Sequence, residues 1–346
     1  MRHFATPRRP ARSTSKTSGA ARIARLGSLL ATLCVIACAE PTPHAPAAPT
    51  GASSPGQPGQ PGAGAQSGAE TSAATAPGAT GWLPKPPATT DAPSAATAGA
   101  APSLTTTRGL RVITWNIHHG EGLDKRIDLD RIAAWLRSMQ PDVVFLQEVD
   151  RLTARSGNVD QATVLGQQLG MWSAFGAFMP FDGGEYGMAI LSRYELGEVR
   201  NIALPPGRQE PRTSLAATIR PFDGPRIRLF NVHLDWLEND TDRYAQAQAL
   251  LREISADVAA MGNTPAIIAG DFNDRPGSRT IALVKGQLGE AAKTGTPQTY
   301  PSDNPSQEID FVFVLPANHL TAQPAIALDA NGASDHRPVL TTVLMW

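Results

Sequence analysis

Cysteine is almost absent from this 346-residue sequence, and its two copies, Cys34 and Cys38, both lie near the N-terminus. Residues 39–346 therefore offer no thiol for a disulfide, a zinc cluster or nucleophilic catalysis. Long apolar segments are scarce as well. An apolar run from Leu26 to Ala37 has only about twelve residues, which is too short to span a bilayer permanently. Any chemistry in residues 39–346 must come from oxygen and imidazole groups.

Large apolar side chains are also scarce in residues 39–107, which consist almost entirely of Ala, Pro, Gly, Ser, Thr and Gln with one aromatic residue, Trp82. Such a segment cannot bury enough apolar surface to offset the entropy lost on ordering. We therefore predict a disordered linker over residues 38–108. Residues 109–346 contain nearly all the Val, Ile, Leu and Phe, which predicts one large domain there.

Acidic residues are missing before Cys38, whereas seven basic residues occur there. An Arg-rich start followed by a short apolar run is typical of a signal peptide. The run ends in Val35-Ile36-Ala37 directly before Cys38, which resembles the lipobox where bacterial lipoproteins are cleaved and acylated. We predict a signal peptide over residues 1–37 and lipidation of Cys38, which anchors the chain in the bacterial cell envelope, facing the periplasm or the exterior. An ordinary secretory signal and a mitochondrial-type leader are the alternatives.

The formal net charge is −1, and it becomes −8 when the leader with its seven basic residues is removed. A clearly acidic chain disfavours charge-driven binding to a nucleic-acid backbone. Nucleic acid is therefore a second, less favoured partner after a smaller phosphate ester, and no protein partner is predicted.

Apolar periodicity predicts strands that outnumber helices. Residues 110–115 read as a strand ending at Asn116, and residues 129–139 have helical spacing with Asp128 as N-cap. The apolar run 143–146 predicts a buried central strand that places Glu148 at its C-terminal end. Further strands are predicted at 188–191, 215–219, 227–232, 266–269, 311–315 and 339–344, with a helix around 244–261. The pattern predicts an α+β fold of mixed sheets packed together and covered by helices.

Polar residues recur where these apolar strands end. Each has an ordinary explanation when taken alone: Asn116 as a turn residue, for example, or His233 as a core histidine. Their repeated position at strand ends instead predicts a site, since sheets of this kind present ligands and catalytic groups there. Two imidazoles, four carboxylates and two amides form a donor set suited to Mg²⁺ or Mn²⁺. They are Asn116, Glu148, His233, Asp271, Asn273, Asp310, Asp335 and His336.

Seven motifs in a fixed order resemble those of the endonuclease/exonuclease/phosphatase superfamily, and the match covers about residues 110–346. They are Thr-Trp-Asn116, Gln-Glu148-Val, Ala-Ile-Leu-Ser192-Arg193, Val-His233-Leu, Gly-Asp271-Phe-Asn273, Ile-Asp310-Phe and Ser-Asp335-His336. The resemblance implies a four-layered α/β/β/α sandwich, with two mixed β-sheets packed face to face. It also implies a metal-dependent phosphoric ester hydrolase. Because the superfamily includes nucleases and phosphatases, the motifs do not identify the substrate.

The resemblance further implies a division of labour within the site. Asn116, Glu148 and Asp335 are expected to bind the metal, Mg²⁺ or Mn²⁺. Catalytic roles are expected for His233, Asp271, Asn273, Asp310 and His336. We interpret His336, supported by Asp310, as the base, but the sequence leaves Asp271 as an alternative base. His233 is expected to stabilise the transition state or to protonate the leaving group.

Two further residues are assigned to substrate binding. His118 stands where many nuclease members of this superfamily have an acidic or amide residue. Arg212 follows a Pro-rich loop and is suited to forked contacts with a phosphate, although an ion pair with Glu210 is an equal alternative.

The leading hypothesis is therefore an extracytoplasmic Mg²⁺- or Mn²⁺-dependent phosphoesterase that hydrolyses a phosphodiester or a phosphomonoester. An envelope-tethered nuclease acting on DNA or RNA is the first alternative. The second is a catalytically inactive binding protein of the envelope. That reading expects the loss of Glu148, Asp271 or His336, and all three are present.

Overall fold

A computed structural model describes residues 108–315 and 320–345. The predicted signal peptide, the predicted lipidation site Cys38 and the predicted linker lie outside the described residues, apart from Arg108, where the first strand begins. Within the described part of the chain, no helix is both long and apolar enough to cross a membrane.

The described residues form thirteen strands, four α-helices and two short 3₁₀ helices. The strands are β1 Arg108–Asn116, β2 Val143–Arg151, β3 Trp172–Phe181, β4 Gly184–Ser192, β5 Gly197–Ala203, β6 Thr213–Ile219, β7 Ile227–His233, β8 Ala266–Asp271, β9 Gly289–Glu290, β10 Asp310–Val314, β11 Leu320–Ala322, β12 Ile326–Ala327 and β13 Val339–Met345. The helices are α1 Leu129–Met139, α2 Gln161–Leu169, α3 Thr241–Ala260 and α4 Arg279–Lys285, with 3₁₀ helices at His118–Gly120 and Pro221–Asp223.

These strands form two mixed sheets. The first has the order β11-β13-β1-β2-β4-β3, with β12 paired to β13, and the second has the order β5-β6-β7-β8-β10-β9. One neighbouring pair in each sheet is parallel, β1 with β2 and β7 with β8, and the other pairs are antiparallel. The predicted pair of mixed sheets is confirmed.

Three apolar clusters divide the fold into four layers. One lies between the sheets and joins side chains such as Val112 and Phe145 to Leu229 and Ile267. A second packs α1 and α2 on the outer face of the first sheet, and a third packs α3 and α4 on the outer face of the second sheet. Both faces of each sheet are therefore buried, and the predicted α/β/β/α sandwich is confirmed.

A buried polar contact also joins the two sheets. Gln147 on β2 donates a hydrogen bond from Nε2 to Asn231 Oδ1 on β7, at 2.6 Å. Asn231 Nδ2 in turn donates to the carbonyls of Leu146 and Ala189, each at 2.8 Å. Because these contacts are directional, they fix how one sheet is placed on the other, which apolar packing alone does less strictly.

The local predictions were accurate where periodicity was strong. Helix α1 spans the predicted residues, and the Asp128 side chain caps it by accepting from Arg131 N at 2.9 Å. The prediction that Glu148 ends its strand was wrong, because β2 continues to Arg151. Its pairing with β4 shifts register between Gln147 and Val149, so Glu148 is the extra residue of a bulge.

Candidate active site

The polar residues identified from the sequence converge at one edge of the sheets, where β1, β7 and β8 end and β10 begins. Asp271 lies opposite His233 in the parallel pair β7–β8, and opposite Asp310 in the antiparallel pair β8–β10. Asp335 and His336 lie a few residues before β13, which pairs with β1. This edge borders a cavity of about 480 Å³. The residues lining it are Glu148, Tyr186, Glu210, Arg212, His233, Trp236, Asp271, Asn273, Tyr300, Gln307, Ile309, Asp335 and His336.

The bulge in β2 directs Glu148 into the cavity. Gln147 contacts β7 between the sheets, and Val149 belongs to the cluster beneath α1 and α2. Glu148, between them, has a φ of 57°, a left-handed conformation that is uncommon for a residue with a side chain. Bulges next to active sites often redirect one side chain in this way.

Asn116 connects carboxylates that come from different sheets. Its Nδ2 donates to Glu148 Oε1 at 3.0 Å and lies 3.2 Å from Asp271 Oδ2, while its Oδ1 accepts from the backbone N of His118 at 3.1 Å. The backbone carbonyl of Asn116 accepts from Ser334 Oγ at 2.7 Å. Asn116 is buried and thus holds Glu148 and Asp271 in place from below the cavity.

Asp271 is the centre of the cluster. Its Oδ2 lies 3.7 Å from His233 Nε2 and 3.7 Å from His336 Nε2, and its Oδ1 accepts from Asn273 N at 2.8 Å. Asn273 Nδ2 donates to the carbonyl of Leu234 at 3.0 Å, which fixes the turn after β8. One carboxylate therefore faces two imidazoles and an amide at the cavity floor.

The residue before Asp271 in β8 is Gly270, and the backbone there requires glycine. Its φ is 154°, and a Cβ at this position would collide with the backbone carbonyl of Val232 on the neighbouring strand. Only glycine allows β7 and β8 to approach so closely at the point where His233 and Asp271 lie side by side.

His336 is held by a buried carboxylate. Its Nδ1 lies 3.0 Å from Asp310 Oδ2, and its backbone carbonyl accepts from Trp115 Nε1 at 3.0 Å. Burial disfavours the imidazolium, but the charge and hydrogen bond of Asp310, together with the charge of Asp271, outweigh burial and raise the pKa of His336 to about 10. His336 is therefore a cation at neutral pH.

Asp271 and His233 are shifted in ways that suit proton transfer. Burial and the nearby charge of Asp310 raise the pKa of Asp271 to about 7. Burial and the positive charge of Arg212 lower the pKa of His233 to about 3. Near neutral pH, Asp271 exchanges a proton readily, whereas His233 is an uncharged imidazole.

Glu148 is ionised at neutral pH. Burial opposes its charge, but the field of His233 and the hydrogen bond from Asn116 outweigh burial and lower the pKa of Glu148 to about 2. The Tyr186 hydroxyl also hydrogen-bonds Glu148, and burial raises the pKa of Tyr186 well above its usual value. An ionised carboxylate held by neutral donors is a good ligand for a divalent cation.

The donor set fits such a cation. Asp271, Asp310 and His336 each offer a ligand atom, and these atoms lie within 4.8 Å of one another. Asp310 Oδ1 is buried and has no hydrogen-bond partner among residues 108–315 and 320–345. A cation bound there would require His336 to lose its proton, because an imidazolium has no lone pair to donate. At neutral pH the carboxylates of Glu148 and Asp335, which line the cavity, are therefore the donors that fit Mg²⁺ or Mn²⁺.

The predicted metal ligands and substrate contacts occupy different positions. Glu148 and Asp335 line the cavity, whereas Asn116 lies beneath it. Arg212 pairs with Glu210 at 2.8 Å, which is one of the two alternatives left open by the sequence. It also lines the cavity, and its contact with a phosphate stays a prediction. His118 is not among the cavity-lining residues, although one of its ring nitrogens lies within 4.8 Å of a carboxylate oxygen of Glu148, so its contact with substrate stays a prediction.

Sequence reasoning missed several cavity residues. Tyr186 lies near the start of β4, and Trp236, Tyr300 and Gln307 belong to loops. Trp236 is 52% exposed, which is unusual for a residue of its size. No motif marks these positions, and only the folding of distant loops over one edge brings them together.

Comparisons with known proteins agree with this architecture. Residues 113–336 match the model of the Endonuclease/Exonuclease/phosphatase family, and this range includes all the predicted catalytic and metal-binding residues. The protein YbhP of Escherichia coli (strain K12) is 29% identical over 255 residues, which cover 69% of this chain and 97% of YbhP.

Two solved structures show the same fold. An endonuclease/exonuclease/phosphatase from Beutenbergia cavernae has a TM-score of 0.57 at 24% identity, covering 69% of this chain and 72% of its own. The mannosyl-6-phosphatase Bt3783 from Bacteroides thetaiotaomicron has a TM-score of 0.55 at 20% identity, covering 68% of this chain and 100% of its own.

Proposed function

Because the chain belongs to the endonuclease/exonuclease/phosphatase family, whose members are phosphoesterase hydrolases, we propose that it hydrolyses a phosphate ester with Mg²⁺ or Mn²⁺. The observation that carries this proposal is the position of Asp271. This carboxylate, with a pKa of about 7, faces His233, His336 and Asn116 at the floor of a cavity.

In the proposed reaction, Asp271 binds the attacking water and takes its proton as the water oxygen bonds to phosphorus. The ester P–O bond breaks, and the leaving alkoxide takes a proton from solvent. Of the two bases that the sequence left open, Asp271 is favoured, because His336 is already protonated at neutral pH. His336 instead stabilises negative charge on the phosphoryl oxygens.

His233 has a different part in this scheme. With a pKa of about 3 it is neutral, so it donates a hydrogen bond to the phosphoryl group rather than a proton to the leaving group. Asn273 holds Asp271 through its backbone N, and Asp310 keeps the ring of His336 in place.

Glu148 and Asp335, supported by Asn116, would hold the cation at the cavity wall. When bound there, Mg²⁺ or Mn²⁺ neutralises the nonbridging oxygens of the phosphate and polarises the phosphorus centre. Arg212, which is 2% exposed and lines the same cavity, would bind a phosphate oxygen. The exposed ring of Trp236 would contact the organic part of the substrate.

The place of action is part of the proposal. The basic leader, the apolar run and Cys38 support export and lipid anchoring in the bacterial envelope. The predicted linker of about 70 residues, treated as a flexible coil, has an r.m.s. reach of roughly 45 Å. The catalytic domain would then work clear of the membrane surface.

A panel of phosphate esters tests the proposed function. The full-length protein is assayed with Mg²⁺, with Mn²⁺ and with EDTA on bis-p-nitrophenyl phosphate, inositol phosphates, sphingomyelin, plasmid DNA and RNA. We expect hydrolysis of a non-polymeric ester that EDTA abolishes and that Asp271→Asn abolishes. The matched control is Asp130→Asn, which removes an exposed carboxylate from the first turn of α1 and should retain activity.

The outcomes separate the hypotheses. Hydrolysis of DNA or RNA alone would establish the nuclease alternative. Activity that persists in EDTA, or in Asp271→Asn, would contradict the proposed mechanism. No turnover on any ester, with a normal melting temperature, would favour an inactive binding protein.

A further inference from the structure

Two adjacent histidines, His118 and His119, lie beside Glu148 and have no part in the proposed reaction. They follow β1 in a short 3₁₀ helix, and their φ angles are 46° and 45°. Their rings contact edge to face, with centroids 4.4 Å apart. One ligand atom from each ring and one from Glu148 lie within 4.8 Å of one another. Two imidazoles and a carboxylate thus face a common point.

The imidazoles are not needed to build this turn. The hydrogen bonds that hold it use backbone atoms: His118 N donates to Asn116 Oδ1 at 3.1 Å, and the carbonyl of His119 accepts from Gln161 Nε2 at 2.7 Å. Residues of other types would make the same contacts. The presence of two imidazoles beside a buried acid therefore needs another reason.

The environment of His119 supplies one. The residue is 8% exposed, and its Nδ1 is buried without a hydrogen-bond partner in the described part of the chain. Its other nitrogen, Nε2, lies 3.8 Å from Glu121 Oε2. A histidine that binds metal through one nitrogen commonly presents the other to a carboxylate. In His119 the carboxylate lies at ion-pair distance rather than hydrogen-bond distance, and Nδ1 is the nitrogen left to bind a ligand.

We propose that His118, His119 and Glu148 bind a first-row transition-metal cation of the Zn²⁺ class. Imidazole nitrogen suits Zn²⁺, Co²⁺ and Fe²⁺, whereas Mg²⁺ prefers oxygen ligands. The site is separate from the cluster of Asp271, Asp310 and His336 and shares only Glu148 with the proposed magnesium site. The charge of Arg155, which acts on His119, is offset by Asp150 through hydrogen bonds of 2.8 and 2.7 Å.

Cobalt binding tests this inference with a readout that does not depend on hydrolysis. Full-length protein is stripped with EDTA and titrated with Co²⁺ in excess Mg²⁺, following visible ligand-field absorption and bound equivalents. We expect the double variant His118→Ala with His119→Ala to bind one equivalent less than wild type. His319→Ala, which removes an imidazole outside the described residues, is the matched control and should bind as wild type does. Cobalt held by Cys34 or Cys38 is common to all three proteins and cancels in the comparison.

A second measurement locates the ion without any variant. In a crystal of the wild-type protein soaked in Zn²⁺, the anomalous difference map should show a peak between His118, His119 and Glu148. A zinc peak only at Asp271, Asp310 and His336 would overturn the proposal. So would cobalt uptake and absorption in a folded double variant that match those of wild type. If the double variant does not fold, the zinc soak decides.

Discussion

His336 Nδ1 and Asp310 Oδ2 lie 3.0 Å apart in a pair whose members are both buried, and they come from segments that frame the same sheet edge. Because Asp310 stabilises the imidazolium, we expect Asp310→Asn to lower the pKa of His336 from about 10 toward its ordinary value. NMR titration of the His336 ring protons measures this pKa directly. The same variant should lose up to about 10²- to 10³-fold in kcat at neutral pH, because it weakens the positive charge that stabilises the phosphoryl oxygens. An unchanged His336 titration would show that Asp310 does not set its charge.

Glu148→Ala and His336→Ala should both suppress hydrolysis, but they should differ in their response to metal. Glu148 is expected to place the cation, so excess Mg²⁺ or Mn²⁺ should partly restore the activity of Glu148→Ala. His336 acts through its own positive charge, so metal should not restore His336→Ala, which should lose about 10²- to 10³-fold in kcat at saturating metal. Steady-state rates across a metal titration check both expectations. A large fall in the melting temperature of either variant would instead assign that residue a structural role.

His233 should make folding sensitive to acid. Its folded-state pKa is about 3, below the unfolded value near 6.5, so between these values the unfolded chain binds the extra proton. The free energy of unfolding should therefore fall as pH falls from 6.5, by at most about 1.4 kcal/mol per pH unit from this residue. Urea unfolding of wild type and His233→Asn in EDTA between pH 7 and pH 4 measures the difference. We expect a shallower pH slope for the variant, and parallel slopes would rule out this contribution.

Gly270→Ala should damage the protein without removing any polar group. The added Cβ would collide with the Val232 carbonyl, and the φ of 154° is unfavourable for alanine. We expect a loss of at least about 2 kcal/mol in unfolding free energy and a matching loss of activity. Gly197→Ala is the matched control, because the nearest atom to a Cβ there is the Thr218 carbonyl oxygen at 3.9 Å. If the two variants are equally stable in denaturant unfolding, the close approach of β7 and β8 does not require glycine at position 270.

Cys38→Ser should release the protein from the membrane fraction, since acylation of Cys38 is the predicted anchor. Fractionation of cells that express the full-length chain, followed by immunoblotting, measures the distribution. A Cys34→Ser variant controls for loss of a thiol in the leader and should remain in the membrane fraction. If Cys38→Ser still sediments with membranes, the lipoprotein prediction is wrong.

The sequence was sufficient to predict elements whose signal is local. Helix α1 has both an apolar period and the Asp128 cap, and β1 is rich in β-branched and aromatic residues from Val112 to Trp115, so both were predicted nearly to the residue. Strand β3 was missed because its segment, from Trp172 to Phe181, mixes Ser, Ala, Gly and Pro with aromatics. Its strand conformation depends on pairing with β4, which no local pattern records.

Within the site, too, features with a local sequence signal were predicted, and features that depend on a partner strand were not. The motifs identified residues that lie together, such as Asp271 and His336, because strand ends meet at one edge. The bulge at Glu148 was not predicted, since register is set by the partner strand rather than by the bulged one. The absence of His118 from the cavity lining could likewise not be predicted from the sequence, because the left-handed turn after β1 sets the direction of its ring.

The hydrogen bond from Gln147 to Asn231 has a consequence for how the two halves of the molecule depend on each other. Asn116 and Glu148 come from one sheet, and His233, Asp271 and Asp310 come from the other, so the reaction centre exists only at the seam between them. Each half contributes an incomplete set of groups, and turnover reports on the alignment of the halves as much as on the groups themselves. A substitution buried at this seam, far from any phosphate, can therefore slow catalysis by displacing one half of the centre from the other.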